Sequence, residues 1–327
     1  MITRDPQAFL AVARGMAPDF GPATARAAFL VTPEGFARAE QSALDNRYMA
    51  AAGGYHCEAA LAEHRALQRA LAADLPVFAF PGDPATPDAV FPNNVFATAR
   101  PDARVDPHGR LRLVVGRMRH PVRRGEADRA DIRGFFRALA GTEEIDLSQQ
   151  PHPCELTGSM VVDRARGLGY CGLSERCDET GARLVHEAFG LRATLVFDLA
   201  PGEYHANVVL AVLAGRAVLV SPSGFADPGV AEAIAGFYAP HVVRLRAGQH
   251  AAFAGNAIAL APGRAWMSQA AADSLDPGQR QVLATAGFAL GQVPLAAIEA
   301  GGGSLRCCVA EVFCAGRRLN RMLAACG

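Results

Sequence analysis

The chain has 327 residues, 50% of them hydrophobic, and its 32 basic residues balance 32 acidic ones. That length supports one large core or two smaller ones, and a net charge of zero gives no footing for a nucleic-acid or membrane-surface partner. Every basic residue is an arginine, which excludes a lysine Schiff base, a pyridoxal phosphate anchor and a P-loop lysine.

The first residues, MITRDPQAFLAVARGM, carry an early acid and no apolar run long enough for a signal peptide. No stretch approaches the ~18 uninterrupted apolar residues of a membrane span. The eight cysteines have no regular spacing and form no CxxC pair, so a cytoplasmic protein with reduced thiols is expected. In chain order, the patterns predict a strand over 27–31, helices over 34–48 and 56–74, and a strand over 76–80. The turn-rich PGDPATPD at 81–88 reads as a loop. A strand over 110–116, a helix over 125–140, a strand over 159–163 and a helix over 178–189 follow. Strands over 193–199, 207–212 and 216–221, a helix over 226–238 and a strand over 241–245 come next. Helices over 269–286 and 316–325 end the series. This mixture is an α/β class. Strands come in pairs between helices, which points to mixed or antiparallel pairing rather than a doubly wound parallel sheet. Neither GxGxxG nor GxxxxGK[ST] occurs, and neither a linker nor an internal repeat is visible in the sequence.

Four places carry residues with chemistry. GGGSLRCC places Gly301, Gly302, Gly303 and Ser304 ahead of Arg306, Cys307 and Cys308. Glycine-rich backbone can approach a ligand closely, and a cysteine beside an arginine can be held as thiolate. His205 in GEYHANVV is expected at the start of a strand, with Asn207 on the same face. Glu155 lies in PHPCELTGSMVVD, between turn residues and a strand, and Asn93 and Asn94 lie in FPNNVF. Taken singly, each residue fits a bland role: a buried thiol, a surface histidine, a solvated carboxylate, a turn. Together they supply the thiol, imidazole, carboxylate and amides of Cys–His nucleophilic catalysis at a carbon–nitrogen centre.

Five segments in order, FPNNVF at 91–96, RRGEADR at 123–129, CELTGSMVVDR at 154–164, YHANVVL at 204–210 and GGGSLRCCVAEVF at 301–313, resemble the signatures of the guanidino-group-modifying enzymes. That superfamily includes arginine deiminase, dimethylarginine dimethylaminohydrolase and the amidinotransferases, and the resemblance is to its citrulline-utilization hydrolase, or amidinotransferase-related, branch. The resemblance implies an α/β fold of five blades, a pentein propeller with pseudo-fivefold symmetry. It covers a single catalytic domain over 28–327 and leaves 1–27 as an N-terminal extension. It implies Cys307 as nucleophile, His205 as general acid/base and Glu155 as the third member. Asn93, Asn94, Asn207, Arg123, Arg124, Gly302, Gly303, Ser304 and Arg306 are the substrate-binding candidates, with neither metal nor cofactor. Leu156 stands where the family has glycine, Val95 where it has tryptophan, and Cys308 where it has methionine.

The implied activity is hydrolysis of a non-peptide C–N bond of a small amino-acid substrate through a covalent thio-intermediate. Asn94 and Asn207 fall where arginine-using members carry aspartates, which favours a neutral ureido group such as citrulline over a guanidinium cation. Arginine deiminase, dimethylarginine hydrolase or amidinotransferase activity, and a non-catalytic binding protein on the same fold, are the alternatives. A zinc site on His56, Glu58 and His64 lacks the PCxxC that deaminase chemistry requires.

Overall fold

Among the described residues five small sheets share one pattern: two antiparallel strands, then a helix and a third strand that returns parallel to the second. The computed structural model describes residues 1–100, 102, 104, 109–138 and 142–314. The third unit shows the pattern plainly. Met160–Asp163 pairs antiparallel with Leu168–Leu173, helix Glu179–Phe189 crosses over, and Ala193–Asp198 returns parallel to Leu168–Leu173. A parallel return needs a crossover, and the amphipathic helix supplies it. The second unit holds Phe96–Ala99, Arg112–Val115, helix Ala130–Ala138 and Glu143–Asp146. The fourth holds Leu210–Leu213, Ala217–Val220, helix Pro228–Phe237 and Val242–Arg244. In the fifth, Ile258–Ala261, Arg264–Ser268 and Ala289–Val293 enclose helices Gln269–Ser274 and Pro277–Thr285. The first unit joins distant parts of the chain. Ala310–Val312 pairs antiparallel with Ala27–Val31, which pairs parallel with Val77–Phe80 after helix Cys57–Leu71.

Burial falls off across the second sheet. Phe96–Ala99 is wholly buried, whereas Glu143–Asp146 on the far side of its sheet is half-buried to exposed. The first strands therefore form the inner layer. Leu210–Leu213 lies against Met160–Asp163 and Ile258–Ala261, and Phe96–Ala99 lies against Ala310–Val312. The Thr98 hydroxyl stitches that last contact, donating to the Glu311 carbonyl and accepting from the Phe313 amide, both at 2.9 Å.

The strands predicted at 27–31, 76–80, 110–116, 159–163, 193–199, 216–221 and 241–245 are present within a few residues of their expected ends. Several expectations are corrected. The segment 34–48 forms only a short turn at Ser42–Leu44, because its polar side chains reach to other units instead of forming a helical stripe. Asp276 caps the helix that starts at Pro277, with Gln279 completing a capping box, and this splits 269–286 in two. The strand predicted over 207–212 starts later, at Leu210, after a helical turn at Ala206–Val209. The helix expected over 125–140 begins as a turn at Gly125–Asp128 and runs as a helix over Ala130–Ala138. The segment 316–325 lies outside the described residues. Residues 1–27, expected as an extension, are packed into the fold. Ile2–Thr3 extends the third sheet beside Ala193–Asp198, and helix Pro6–Ala13 buries Phe9, Leu10 and Ala13. No helix among the described residues is long and apolar enough to cross a membrane.

Candidate active site

Ahead of each inner strand the backbone makes one tight turn, closed by an amide bonding three residues back. The five closing bonds are Asn94 to Phe91, Gly158 to Glu155, Val208 to His205, Asn256 to Phe253 and Cys308 to Leu305. The same device, used once per unit, delivers Asn93 and Asn94, Glu155 and Thr157, His205 and Asn207, Asn256, and Cys307. Polar side chains then bond turn to turn. Thr157 Oγ1 donates to the Asn93 carbonyl at 3.0 Å, and Asn207 Nδ2 to the Thr157 carbonyl at 3.2 Å. Asn256 Nδ2 donates to the Asn207 carbonyl, and Asn256 Oδ1 accepts from the Arg306 amide, each at 2.9 Å. His205 and Asn207 thus sit on a helical turn and not, as expected, on one face of a strand.

This chain of bonds brings Cys307, His205 and Glu155 into one buried layer. Cys307 Sγ lies 3.3 Å from Asn256 Nδ2 and 3.8 Å from Asn207 Oδ1. His205 Nε2 lies 2.9 Å from Glu155 Oε2, with both side chains fully buried. Glu155 also accepts the Arg119 amide through Oε1 at 3.0 Å, and the guanidiniums of Arg176 and Arg123 stand 3.5 and 3.9 Å from Oε2. Burial alone would raise the Glu155 carboxyl; Arg176, His205 and Arg123 overcome it and hold it down to about 2. Burial lowers the His205 imidazole, and Glu155 offsets this only in part. Burial likewise raises the Cys307 thiol, against the hydrogen bonds at Ser304 and Asn256, the Arg306 charge and Asn207. The resting site is therefore an ionised Glu155, a neutral imidazole and a neutral thiol. With Nε2–H given to Glu155, His205 keeps Nδ1 free, and that atom has no hydrogen-bond partner among the described residues.

A narrow cavity opens onto Cys307, and Ser42, Asp88, Asn94, Arg123 and Arg176 line it. Asp88 is buried, accepts from the Ser42 hydroxyl at 2.6 Å and stands 3.9 Å from Arg123. Burial raises its carboxyl, although Arg123 and Ser42 oppose this. Arg176 pairs with Asp45 at 2.6 Å and lies over the Tyr204 ring.

Gly302 and Gly303 line the cavity. Gly302 has φ +77°, and a Cβ there would come within 2.4 Å of Asn46 Nδ2. Its carbonyl accepts from Asn46 at 3.2 Å and from the Tyr204 hydroxyl. The glycines thus serve close packing of the loop against Asn46 and Phe91. Several expected binding residues do not reach the cavity. Arg306 pairs with Glu311 at 3.0 Å, and Arg124 bonds the carbonyls of Met118 and Arg119. Ser304 donates to Glu299 at 2.6 Å. Arg129, at the end of the RRGEADR segment, pairs with Asp131. Asn93 is buried in the turn layer, outside the cavity lining. Arg123 does line the cavity, but Glu126 holds it at 2.7 and 2.8 Å.

Sequence reasoning missed Asp88, Arg176 and Asn256. Asn256 had a signal: GNAIAL repeats the placing of asparagine just before an apolar run seen in PNNVFA and HANVVL. Asp88 and Arg176 had none, since only the tertiary fold sets them beside Cys307.

Comparison with known proteins extends this picture. No curated protein matches the sequence. Among solved structures, the N-terminal domain of ArgZ, a cyanobacterial arginine dihydrolase captured as a cysteine-to-serine mutant with substrate, superposes with a TM-score of 0.73 at 19% identity, covering 88% of this chain and 97% of that one. The AgrE cysteine-to-alanine mutant in complex with L-arginine gives 0.71 at 19% identity, covering 88% of this chain and 40% of that one. A dimethylarginine dimethylaminohydrolase variant carrying an S-methyl-L-thiocitrulline adduct gives 0.64 at 20% identity, over 88% and 99%. At these identities the likeness is one of fold. The family model described as N,N dimethylarginine dimethylhydrolase, eukaryotic, matches residues 32–314. The chain belongs to that family, and through it to the amidinotransferase, or pentein, superfamily of guanidino-modifying hydrolases.

Proposed function

We propose that this protein hydrolyses the guanidino group of arginine or an N-methylated arginine, with Cys307 as nucleophile, His205 as acid and base, and Glu155 as the group that orients and charges His205. The observation that carries this reading is the pairing of Asp88 with Cys307 in one buried cavity. A guanidinium is a permanent cation, and burying one requires a carboxylate. The preference for a ureido substrate rested on Glu155 being the only acidic partner among the matched positions. Asp88 supplies another, so the charge argument now favours the cation. We further read the five units as blades of one propeller about a central axis, forming a single catalytic domain over 28–327. The bonds that pass from turn to turn and through Thr98 support this reading.

The substrate's positive charge settles beside Asp88 and, being close to the thiol, favours transfer of the thiol proton to the free Nδ1 of His205. The thiolate adds to the guanidino carbon. His205 delivers a proton from Nδ1 to the departing nitrogen, and an amine or ammonia leaves a thiouronium on Cys307. The same Nδ1 takes a proton from water as it attacks that carbon. Collapse breaks the C–S bond, releases a ureido product and returns the thiol. A second reading keeps the ureido product in place for a further hydrolysis to ornithine, ammonia and carbon dioxide. The buried, unpartnered Asn94 Oδ1 on the cavity wall favours it, since an amide can meet the donors of a neutral urea.

The test offers purified protein arginine, N,N-dimethylarginine and citrulline in parallel, with Cys307→Ala as control and products identified by mass. Citrulline formed from either guanidino substrate, lost in Cys307→Ala and reduced in Asp88→Asn, is the expected result. Ornithine from citrulline would establish the second reading. Transfer of an amidino group to an added amine, without water as acceptor, would replace hydrolysis with amidinotransfer. No product from any of the three would sink the proposal.

A further inference from the structure

A second, small cavity, of about 40 Å³, runs along the inner strands on the other side of the turn layer. Thr157 and Asn207 stand at the layer, Val161, Val162 and Val212 form apolar wall, and Arg164 lines the cavity too. Arg164 follows directly on strand Met160–Asp163 and is only 9% exposed. Its guanidinium carbon lies 4.5 Å from the centre of the Phe313 ring and 5.0 Å from that of Phe189. Stacking of this kind occupies the faces of the guanidinium and leaves the N–H groups at its edge. Among the described residues, no hydrogen bond to those groups is formed. The nearby acid, Glu311, is already paired with Arg306 at 3.0 Å. The cluster of Arg164, Arg306 and Glu311 therefore carries one positive charge beyond its internal pairing.

A buried cation without a hydrogen-bonded partner is costly. Burial depresses the Arg164 guanidinium to about 10, with Glu311 opposing this and Arg306 adding to it. The cavity has room for about three waters, or for one small acid of similar bulk. From this geometry we infer that the rear cavity is a binding site for a small aliphatic monocarboxylate, its head on the edge of Arg164 and its body along Val161, Val162 and Val212. One planar fork with two parallel donors matches a carboxylate. A phosphate dianion would exceed the single positive charge, and Glu311 would repel it. The site is separate from the Cys307 cavity and does not depend on the reaction proposed there. Only the turn layer lies between them.

The experiment titrates the full chain with isobutyrate, and separately with inorganic phosphate, by calorimetry at low chloride. It uses wild type, Arg164→Gln, Cys307→Ala and Val162→Glu. Val162 and Arg164 both line the cavity, so a glutamate at 162 places a tethered carboxylate beside the guanidinium. Saturable one-site binding of isobutyrate to wild type and Cys307→Ala is expected. It should weaken at least tenfold in both Arg164→Gln and Val162→Glu. Arg164→Gln can fail to fold, and Val162→Glu then carries the test, since it keeps the cation and supplies the anion. Absence of isobutyrate binding to wild type, equal binding by folded Arg164→Gln or by Val162→Glu, or phosphate binding as tight as isobutyrate would each overturn the assignment.

Discussion

Gly158 lacks a side chain at a point where the site has no room for one. A Cβ there would lie 2.5 Å from Asn94 Oδ1, 2.7 Å from His205 Cε1 and 2.8 Å from His205 Nδ1. Gly158→Ala must push the imidazole or the amide aside, and a displacement of this order costs catalysis more than stability. We expect kcat to fall by about tenfold or more, with a melting temperature within a few degrees of wild type; steady-state kinetics and thermal melting check this together. Cys307 makes a prediction about pH. Burial raises its thiol, so alkylation of the free enzyme by iodoacetamide should rise only on the alkaline side of an ordinary cysteine. A bound guanidinium too short to react should draw that profile to lower pH. An alkylation profile that is already at its plateau at neutral pH in the free enzyme would contradict the neutral-thiol resting state.

Elements differ in how openly they announce themselves. Helix Cys57–Leu71 was legible because its apolar residues Ala60, Leu67 and Leu71 repeat along one buried face. Glu143–Asp146 and Ala289–Val293 were not, because an outer strand that is half in water shows little hydrophobic pattern. The turns that carry the site were harder still. Four-residue helical turns such as Leu156–Ser159 and Ala206–Val209 are too short for any periodicity, and they run straight into strands. Cys307, His205 and Glu155 could be singled out from their neighbours in sequence, whereas Asp88 and Arg176 become visible only when separate units meet. Leu156, which departs from the glycine of the resembled motif, sits at φ +25° with its side chain buried. Gly116 makes space for it: a Cβ there would meet Leu156 Cγ at 2.8 Å and the Cys154 carbonyl at 2.7 Å. Gly116→Ala should therefore destabilise by about 1–3 kcal/mol, read from urea unfolding. Helix Cys57–Leu71 also buries His64, whose imidazole burial pushes down from 6.5 to about 4 despite the charge of Glu34. The unfolded chain takes up this proton first. Stability is therefore intact above pH 6.5, falls as pH drops towards about 4, and loses about 3 kcal/mol in all at this one site. His64→Leu should flatten that part of the acid limb.

On the scale of the whole molecule, the five units were not legible as a repeat. Topology recurs while sequence does not, because each unit needs only an inner strand, two further strands, a crossover helix and a turn. The N-terminal segment belongs to this assembly. Phe9 is fully buried and meets the Tyr170 ring edge-on at 5.5 Å. Phe9→Ala should cost about 3–5 kcal/mol while leaving kcat at 25 °C unchanged, since Phe9 lines neither cavity. The pairing of Ala310–Val312 with Ala27–Val31 has a temporal side. A ribosome makes Ala27–Val31 long before its antiparallel partner, so that strand waits with an open edge while the units between are made. Cys307 emerges in the same later stretch that closes the edge. The thiol thus meets His205 only when these two distant segments have come together, and until then the growing chain holds the imidazole and the carboxylate without their nucleophile.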